Sequence, residues 1–358
     1  MVRRVAAILT LAALGLALAC TSRRGVEPGP VSYDIYVGAT FDWFSYGPGP
    51  SKLYIYDADS LTLHDSIPLE SMAFDMAISA DGRSLYVQMD GPWPSYEGPL
   101  SKINARTKEV EWSRSGIGPS VTLLGNGELL LNGHEVLDPL DGSLIRRLPD
   151  SVWLGHGPST GTEVAATVED ATSKYVTVLD IETGRIRGRY VPRLSSGGVA
   201  GVYYARLHPD GARVCVIGPR YRLYDSWFVV GDIRTGETLL EHALTYPFGE
   251  IALSADGSIA VVTDPSRPLI YDSYPTLDVF DLEAMTHVRR FDFASGIRWP
   301  GQVQFLPGDQ SVVTAPPAEA TGTGPLQVID LTTLNVTHTI WLPPVDPFPG
   351  ALCVGPRR

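Results

Sequence analysis

The chain has 358 residues, and its 40 acidic and 28 basic side chains give a formal net charge of −12 at pH 7. An acidic surface of this kind repels nucleic acid and anionic lipid headgroups, which argues against a nucleic-acid-binding protein. The 36 glycines and 29 prolines exceed the usual content. Beyond the N-terminus no segment keeps the apolar period of a helix, so we expect an all-β protein.

The N-terminus carries a segment of a different kind. Residues 1–19 consist of a basic start and an apolar run, and Cys20 follows directly. This pattern is typical of an export signal and is too short for a membrane span. The segment LALAC (16–20) resembles a bacterial lipobox, and the resemblance implies lipidation of Cys20. An ordinary cleaved signal with a chance cysteine is the alternative.

The domain boundaries and the location follow from that signal. We expect residues 1–19 to be the signal peptide, 20–30 a tether and 31–358 the folded domain. The residue after the cysteine is Thr21, whereas Asp at that place marks inner-membrane retention in enteric bacteria. The predicted location is therefore the cell envelope, with the protein lipid-anchored in the outer membrane or facing the periplasm.

From residue 31 onward the chain repeats one pattern about every 35–50 residues. A strand, a tight turn, a second strand, a loop and a strand ending in Asp follow one another. The turns contain Asp81-Gly82, Asp210-Gly211 and Asp256-Gly257, with weaker versions at Asn126-Gly127 and Gly308-Asp309. Such a repeat predicts a β-propeller, in which four-stranded antiparallel blades form a closed ring.

The number of blades follows from the innermost strands. These are expected to begin near Met72, Gly118, Val152, Val202, Gly249, Gly301 and Gly350, which gives seven blades. The last blade lacks three strands at the C-terminus, and the N-terminal strand YDIYV (33–37) can supply the first of them. Pairing of the two ends would close the ring and remove exposed sheet edges. Weak turn signals over 118–192 leave eight blades as an alternative.

Segments such as ISADGRSLYV (78–87) and TLDVFDLEAMTHVRRF (276–291) resemble the repeats of bacterial YVTN-type, WD40-like seven-bladed propellers. The resemblance covers nearly the whole domain and implies the fold, but almost nothing about activity. The stretch INARTKEVEW (103–112) instead resembles the tryptophan-docking repeat of quinoprotein-type propellers, although Trp112 has no counterpart in the other blades.

Aspartates at strand ends are expected to be structural, because an Asp there can accept backbone N–H groups two residues on. The residues in this position are Asp57, Asp138, Asp180, Asp232, Asp281 and Asp330, with Asn104 as an equivalent. The two cysteines of the domain, Cys215 and Cys353, are placed in non-adjacent blades and are predicted to be free, buried thiols.

The sequence patterns that resemble catalytic or metal-binding motifs lie in surroundings that do not suit those functions. The G-x-S-x-G pattern at 157–161 is followed by a strand rather than the helix that a nucleophile elbow needs. The histidines His64, His287 and His338 begin the outer strands of three blades, so we expect no shared metal among them, and we predict no cofactor. The basic pairs Arg146-Arg147 and Arg289-Arg290 are expected to be solvated edge charges.

The two faces of the predicted ring differ. The loops between the second and third strands of a blade are long in five blades and rich in aromatic residues. The candidate binding residues on this face are Trp43, Phe44, Tyr46, Trp93, Tyr96, Tyr221, Tyr224, Tyr271, Tyr274 and, between blades, Trp299. These rings either form a recognition surface or cap the cores of their own blades, and the sequence leaves both open.

An enzyme would need ionisable groups near the ring axis, where the inner strands offer few. The candidates are Asp75, Arg206, His208, Glu250 and Gln302, of which Arg206 and Glu250 are hardest to explain as turn residues. We therefore predict a monomeric, non-enzymatic binding or scaffolding propeller with a protein or small-molecule partner. The alternatives are a lactone hydrolase, a quinoprotein-type oxidoreductase subunit, or a purely structural envelope protein.

Overall fold

Seven four-stranded antiparallel sheets are arranged as the blades of a β-propeller. The computed structural model describes residues 31–357 except 41–50, 90–97, 116–117, 119, 125–126, 128, 133, 150–151, 155–160, 170–173, 220–225, 245–248, 265–275, 294–301, 316–324 and 344–347. All strands belong to one compact unit, Tyr33–Arg358. Within the described ranges no helix is long and apolar enough to cross a bilayer. The seven-blade prediction is confirmed, and the eight-blade alternative is wrong.

The blades are numbered from the one that contains both chain ends, and each is given from its innermost to its outermost strand, A to D. Blade 1 contains β28 (Phe348–Pro356), β1 (Tyr33–Thr40), β2 (Ser51–Asp57) and β3 (Leu63–Leu69). Blade 2 contains β4 (Ala73–Ile78), β5 (Ser84–Met89), β6 (Pro99–Asn104) and β7 (Val110–Ser115). Blade 3 contains β8 (Val121–Leu124), β9 (Leu129–Asn132), β10 (Glu135–Leu137) and β11 (Leu144–Arg147).

The remaining four blades follow in chain order. Blade 4 contains β12 (Val152–Leu154), β13 (Glu163–Glu169), β14 (Lys174–Asp180) and β15 (Ile186–Tyr190). Blade 5 contains β16 (Tyr204–Leu207), β17 (Arg213–Pro219), β18 (Ser226–Asp232) and β19 (Thr238–Leu244). Blade 6 contains β20 (Ile251–Leu253), β21 (Ile259–Asp264), β22 (Thr276–Asp281) and β23 (Thr286–Asp292). Blade 7 contains β24 (Val303–Phe305), β25 (Ser311–Thr314), β26 (Leu326–Asp330) and β27 (Asn335–Ile340).

The core is divided among the junctions between blades, because both faces of each sheet are apolar. In β17, Val214 and Val216 pack toward blade 4, whereas Cys215 and Ile217 pack toward blade 6. Successive side chains of a strand point to opposite faces, so a run of apolar residues serves two neighbours at once. The outer strands are mostly exposed, as in β23. Each blade therefore needs a neighbour on both sides.

The tight turns and strand-end aspartates behave as predicted. Gly82 has a φ of +69°, a conformation that glycine adopts without strain, and its N–H donates to the carbonyl of Ser79 at 2.8 Å. At a strand end, Asp232 Oδ1 accepts the N–H groups of Arg234 at 2.7 Å and Thr235 at 3.1 Å. These hydrogen bonds close the hairpins locally, and the aspartates are structural.

The two domain cysteines are free and buried, as predicted. Cys215 lies on strand B of blade 5 and Cys353 on strand A of blade 1. Burial raises the pKa of each thiol to about 12. Both side chains therefore act as small hydrophobic groups rather than as nucleophiles.

The paired arginines lie on outer strands and Arg147, Arg289 and Arg290 are exposed, as expected, but Arg146 and Arg289 also bind the next blade. Arg146 donates to the carbonyl oxygens of Ile181 at 3.2 Å and Glu182 at 2.9 Å, both in the next blade. Arg289 donates to Thr332 O of blade 7 at 2.5 Å. A turn leaves carbonyl groups without strand partners, and a long guanidinium side chain from the adjacent blade satisfies them.

Ring closure pairs the last strand with the first. β1 is antiparallel to β28, with Ile35 opposite Val354 and Tyr36 opposite Cys353. Beyond β28, Arg357 donates to Asp34 Oδ1 and to Asp57 Oδ2, each at 2.6 Å. Hydrogen bonds from the Ser60 backbone and from Arg357 hold the pKa of Asp57 well below its usual range. The predicted closure is confirmed, and Arg357 reinforces it.

Replacing Arg357 tests this reinforcement. We expect Arg357→Ala to lower the free energy of unfolding in urea by about 2 kcal/mol, because buried Asp34 loses a charged hydrogen-bond donor. Arg83→Ala is the matched control, since the exposed Arg83 side chain pairs with the exposed Asp81 at 3.6 Å and its loss should change stability by less than about 0.5 kcal/mol. Equal losses in the two variants would mean that strand pairing alone closes the ring.

Candidate functional site

Four polar side chains from inner strands gather along the ring axis, and we call them the axial cluster: Asp75, Arg206, Glu250 and Gln302. Asp75 lies in β4 and Arg206 in β16, while Glu250 and Gln302 directly precede β20 and β24. They come from blades 2, 5, 6 and 7. Of the five axial candidates from the sequence, only His208 lies outside the cluster.

Three members of the axial cluster join an inner strand to the next one around the ring. Arg206 Nη1 donates to the carbonyl oxygen of Ile251, and Glu250 Oε2 accepts the Val303 N–H at 2.9 Å. Gln302 Oε1 accepts the Leu352 N–H at 2.7 Å. These contacts run from blade 5 through blades 6 and 7 to blade 1. The side chains thus satisfy backbone groups at the inner sheet edges that face the neighbouring blade.

Asp75 makes the corresponding contact from blade 2 to blade 3. Its Oδ2 accepts the Val121 N–H of blade 3 at 2.9 Å, and its Oδ1 accepts the Met76 N–H at 2.8 Å. Gln302 Nε2 approaches Asp75 Oδ1 at 3.4 Å. This contact joins blades 7 and 2, so the hydrogen bonds of the axial cluster together reach from blade 5 around to blade 3.

Burial changes the acidity of both carboxyl groups. It raises the pKa of Asp75 to about 6, against the opposing effect of the Val121 and Met76 N–H groups. It raises the pKa of Glu250 to about 8, although the charge of Arg206 acts in the opposite direction. At pH 7 Glu250 is thus mainly protonated, and the axis holds a neutral acid beside an arginine.

His208 has a structural role at the tight turns. Its side chain is buried, and Nε2 lies 2.8 Å from the carbonyl oxygen of Gly257 in the equivalent turn of blade 6. Its Nδ1 accepts the N–H of Asp210 at 3.1 Å. In the next junction, Asp309 Oδ2 accepts the Ala255 N–H at 2.9 Å. These contacts link successive A–B turns, and His208 is not positioned as an axial group.

The predicted binding-face residues lie outside the described residues: Trp43, Phe44, Tyr46, Trp93, Tyr96, Tyr221, Tyr224, Tyr271, Tyr274 and Trp299. The strands that flank their loops are described. Because every blade is antiparallel, the five long B–C connections leave the same end of the ring, opposite the Asp-Gly turns.

A buried amide pair supports the base of one of these loops. Asn132 Nδ2 donates to Gln88 Oε1 at 2.7 Å across the junction of blades 2 and 3. Gln88 Nε2 donates to the carbonyl oxygens of Met89 at 2.9 Å and Gly98 at 3.1 Å, which flank the loop of residues 90–97. The ends of the loop that contains Trp93 and Tyr96 are therefore fixed by buried hydrogen bonds.

A second polar cluster lies on the outer rim, at the junction of blades 5 and 6. We call His242, Asp278 and His287 the rim cluster. Their candidate ligand atoms all lie within 4.8 Å of one another. Burial lowers the pKa of His242. The sequence analysis missed this grouping, because it compared equivalent histidines among blades rather than neighbours across one junction.

Comparisons with known proteins support the fold alone. No protein-family model matches the chain, and no curated protein matches it. Similar solved structures include hydrazine synthase of Kuenenia stuttgartiensis, with a TM-score of 0.59, 13% identity and coverage of 78% of this chain and 88% of that chain. The dihydro-heme d1 dehydrogenase NirN in complex with DHE gives a TM-score of 0.59 at 14% identity, covering 93% of this chain and 77% of that one.

A functionally unknown protein from Desulfotomaculum acetoxidans DSM 771 is similar over 89% of this chain and 98% of its own, with a TM-score of 0.62 and 15% identity. All three identities are too low to carry activity from one protein to another, because one fold hosts many functions. The similarity establishes that this chain shares a propeller architecture with them.

The raised pKa of Glu250 predicts a pH-dependent stability. Between its unfolded pKa near 4.5 and its folded pKa of about 8, the unfolded chain releases the proton while the folded chain retains it, so stability falls as pH rises. Glu250→Gln removes this dependence. We expect the stability of the variant relative to the wild type to increase by about 4 kcal/mol from pH 5 to pH 9.

Urea unfolding at pH 5, 7 and 9 measures that difference. Asp59→Asn, at an exposed turn residue, is the control and should show no comparable change over this range. A stability difference between Glu250→Gln and wild type that stays constant with pH would contradict the assigned protonation.

Proposed function

We propose that the protein is an exported, lipid-anchored propeller that binds or scaffolds a partner and does not itself catalyse a reaction. The observation that carries this proposal is the engagement of the axial cluster in contacts between blades. Glu250, Gln302 and Asp75 each accept a backbone N–H of the next blade. Polar groups at the axis are thus accounted for by the structural needs of the ring.

This engagement favours binding over catalysis for a physical reason. A general acid or base must exchange a proton with a substrate held within hydrogen-bond reach. Moving Asp75 or Glu250 toward a substrate would break hydrogen bonds to buried backbone groups, and an unpaired buried group costs about 1–3 kcal/mol. The axial carboxyl groups are therefore better suited to maintaining the ring than to turning over a substrate.

The loop face is the proposed contact surface. Its five long B–C loops start from paired strands at one end of the ring, and the amide pair of Gln88 and Asn132 fixes the base of one loop. Aromatic residues with polar tips, presented from a rigid support, bind with a small loss of conformational entropy. A protein or a small molecule on this face is the proposed partner of a monomeric ring.

The proposed location rests on the N-terminal sequence. The apolar segment before Cys20 matches an export signal, and lipidation of that cysteine would hold the ring at the cell envelope through the tether of residues 20–30. A lipid anchor leaves the ring free to present its loop face. It also keeps an acidic domain near a membrane whose anionic lipids would otherwise repel it.

An enzymatic role is the second candidate, and one observation favours it. Burial places the pKa of Glu250 at about 8 and that of Asp75 at about 6, and shifted carboxyl groups of this kind are common at active sites. In that case Glu250→Gln would abolish turnover. Adding Gln302→Glu to that variant would not restore it. The lactone-hydrolase and quinoprotein-partner alternatives both belong to this candidate.

Replacement of the lipidated cysteine tests the location. In the native host, Cys20→Ser should move the protein from the membrane fraction to the soluble fraction, because no acyl chain can be attached. Cys215→Ser is the control, since this buried thiol lies within the ring and its replacement should leave the membrane fraction unchanged. Membrane retention of the Cys20 variant would argue against the anchor.

Tryptophan replacements test the loop face. We expect Trp43→Ala or Trp93→Ala to reduce capture of envelope partners while the free energy of unfolding changes by no more than about 1 kcal/mol. Trp341→Ala is the exposed control, because Trp341 is 63% exposed next to an outer strand and should not alter capture.

Trp112→Ala is the opposite control. Its ring packs over Gly142 of the next blade and its Nε1 donates to Pro139 O at 3.4 Å, so its removal should cost about 2–4 kcal/mol. If the Trp43 and Trp93 variants lose as much stability as the Trp112 variant, the loop aromatics cap the blades and do not bind a partner.

A further inference from the structure

We propose that the rim cluster binds a divalent transition-metal ion of the zinc class. The ligands are His242 Nε2, His287 Nε2 and Asp278 Oδ1, and the fourth position is open to water. This inference is independent of the proposed partner binding, because the ligands of the rim cluster lie within strands C and D and the loop face is formed by the B–C loops.

The fold brings the three side chains together from adjacent blades. His242 is on β19, opposite Phe228, and His287 is on β23, opposite Phe280. The two imidazole rings stack with centroids 4.4 Å apart and planes at 21°. Asp278 lies two residues before Phe280 on β22, so the two side chains point to the same face of the sheet. The metal ligands therefore meet at the outer end of the junction between blades 5 and 6.

The ligand atoms are close to the arrangement that zinc requires. His287 Nε2 lies 2.7 Å from Asp278 Oδ1, and His242 Nε2 lies 3.8 Å from the same oxygen. Ligands at about 2.0–2.2 Å from a tetrahedral zinc are separated by about 3.3 Å from each other. Because a metal binds in the plane of an imidazole ring, the two stacked rings must turn toward each other until both Nε2 atoms face one ion beside Asp278 Oδ1. Two imidazoles and one carboxylate form a ligand set that zinc prefers.

The surroundings fix the ligands and leave one side accessible. Asp278 is completely buried, while the side chains of His242 and His287 are 22% and 30% exposed. The Phe280 ring lies 5.2 Å from each imidazole ring and supports both. Thr276 Oγ1 lies 3.2 Å from Asp278 Oδ2, the carboxylate oxygen that does not bind the metal. This second contact orients the carboxylate, as outer partners commonly do in metal sites.

A positive charge already occupies this position. Arg290 donates through Nε to Asp278 Oδ1 at 2.9 Å and through Nη2 to Oδ2 at 3.1 Å. The same Nη2 lies 3.4 Å from His242 Nε2. The lone pairs of the carboxylate and of His242 therefore face a cation. The Arg290 side chain is 39% exposed, so it can release Oδ1 to a metal ion and keep its contact with Oδ2.

Blade 1 provides a natural comparison. His64 Nε2 lies 3.1 Å from buried Asp34 Oδ1, and Arg357 donates to the same carboxylate oxygen at 2.6 Å. This site has a histidine, an aspartate and an arginine, like His287, Asp278 and Arg290, but it has no second histidine. Among the described residues, the rim cluster is the one group of three His, Cys, Asp or Glu side chains whose ligand atoms all lie within 4.8 Å of one another. The extra histidine is what distinguishes it.

Zinc titration of the chelator-treated full chain tests the proposal. We expect isothermal titration calorimetry to find one zinc per chain, and His242→Ala and His287→Ala to weaken the affinity about a hundredfold or more. His64→Ala and His338→Ala should bind zinc as the wild type does. Cobalt in place of zinc should give the visible absorption of a four-coordinate ion in the wild type and in neither rim variant.

Two further variants keep the test decisive. Arg290→Gln removes the competing cation and should tighten zinc binding about tenfold, a change of about 1.4 kcal/mol. His242→Phe keeps the ring stacking but removes a ligand, so it replaces His287→Ala if that variant does not fold. Zinc should raise the melting temperature of the wild type and not that of His242→Phe. Equal zinc affinity in the wild type and His242→Phe, or a weaker affinity in Arg290→Gln, would overturn the proposal.

Discussion

Each blade of this protein has two apolar faces, and the rest of the structure depends on covering both. Many antiparallel sheets cover one face and leave the other exposed to water. Here, alternate residues of strands such as β17 pack toward opposite neighbours, so neither face can be left exposed. A row of such sheets has an uncovered face at either end, and closing the row into a ring removes both ends. The pairing of β28 with β1 is therefore required by the apolar pattern of all the blades.

The polar residues follow from the same constraint, because tightly packed blades leave backbone groups with few routes to water. At the axis, Glu250 and Gln302 accept N–H groups of the following inner strands. At the turns, Arg146 donates to carbonyl oxygens of the next blade. Apolar packing supplies most of the free energy between blades, while these directional contacts set the position of each blade relative to the next.

The fold could be predicted from the sequence because its signals are local. The turn at Asp81-Gly82 needs a glycine with a positive φ, and Asp232 closes its hairpin with N–H groups two and three residues away. Ring closure was also predictable, since a strand at each end of the chain lacked a partner. In repeats of this kind, the residues that determine the fold of one blade lie within about 40 positions of one another.

The sites were less predictable because they depend on residues from different blades. His242 and His287 are separated by a whole repeat, and their stacking is a property of the junction. Likewise, the arginine pairs were expected to be solvated because nothing nearby in sequence shows that carbonyl groups of the next blade lie within reach. Arg206 and Glu250 were identified as unusual at the axis, but their contacts with neighbouring strands needed the three-dimensional arrangement.

The closure of blade 1 also determines when this chain can complete its folding. Asp34 and Arg357 are 323 positions apart, so β1 is synthesised long before its partner strand β28. During synthesis, β1 keeps an unpaired, apolar edge until β28 is available to pair with it. Long-range pairing of this kind is slow, and an exposed edge invites association with other chains. A chaperone that covers the free edge of β1 until β28 is available would therefore limit such association.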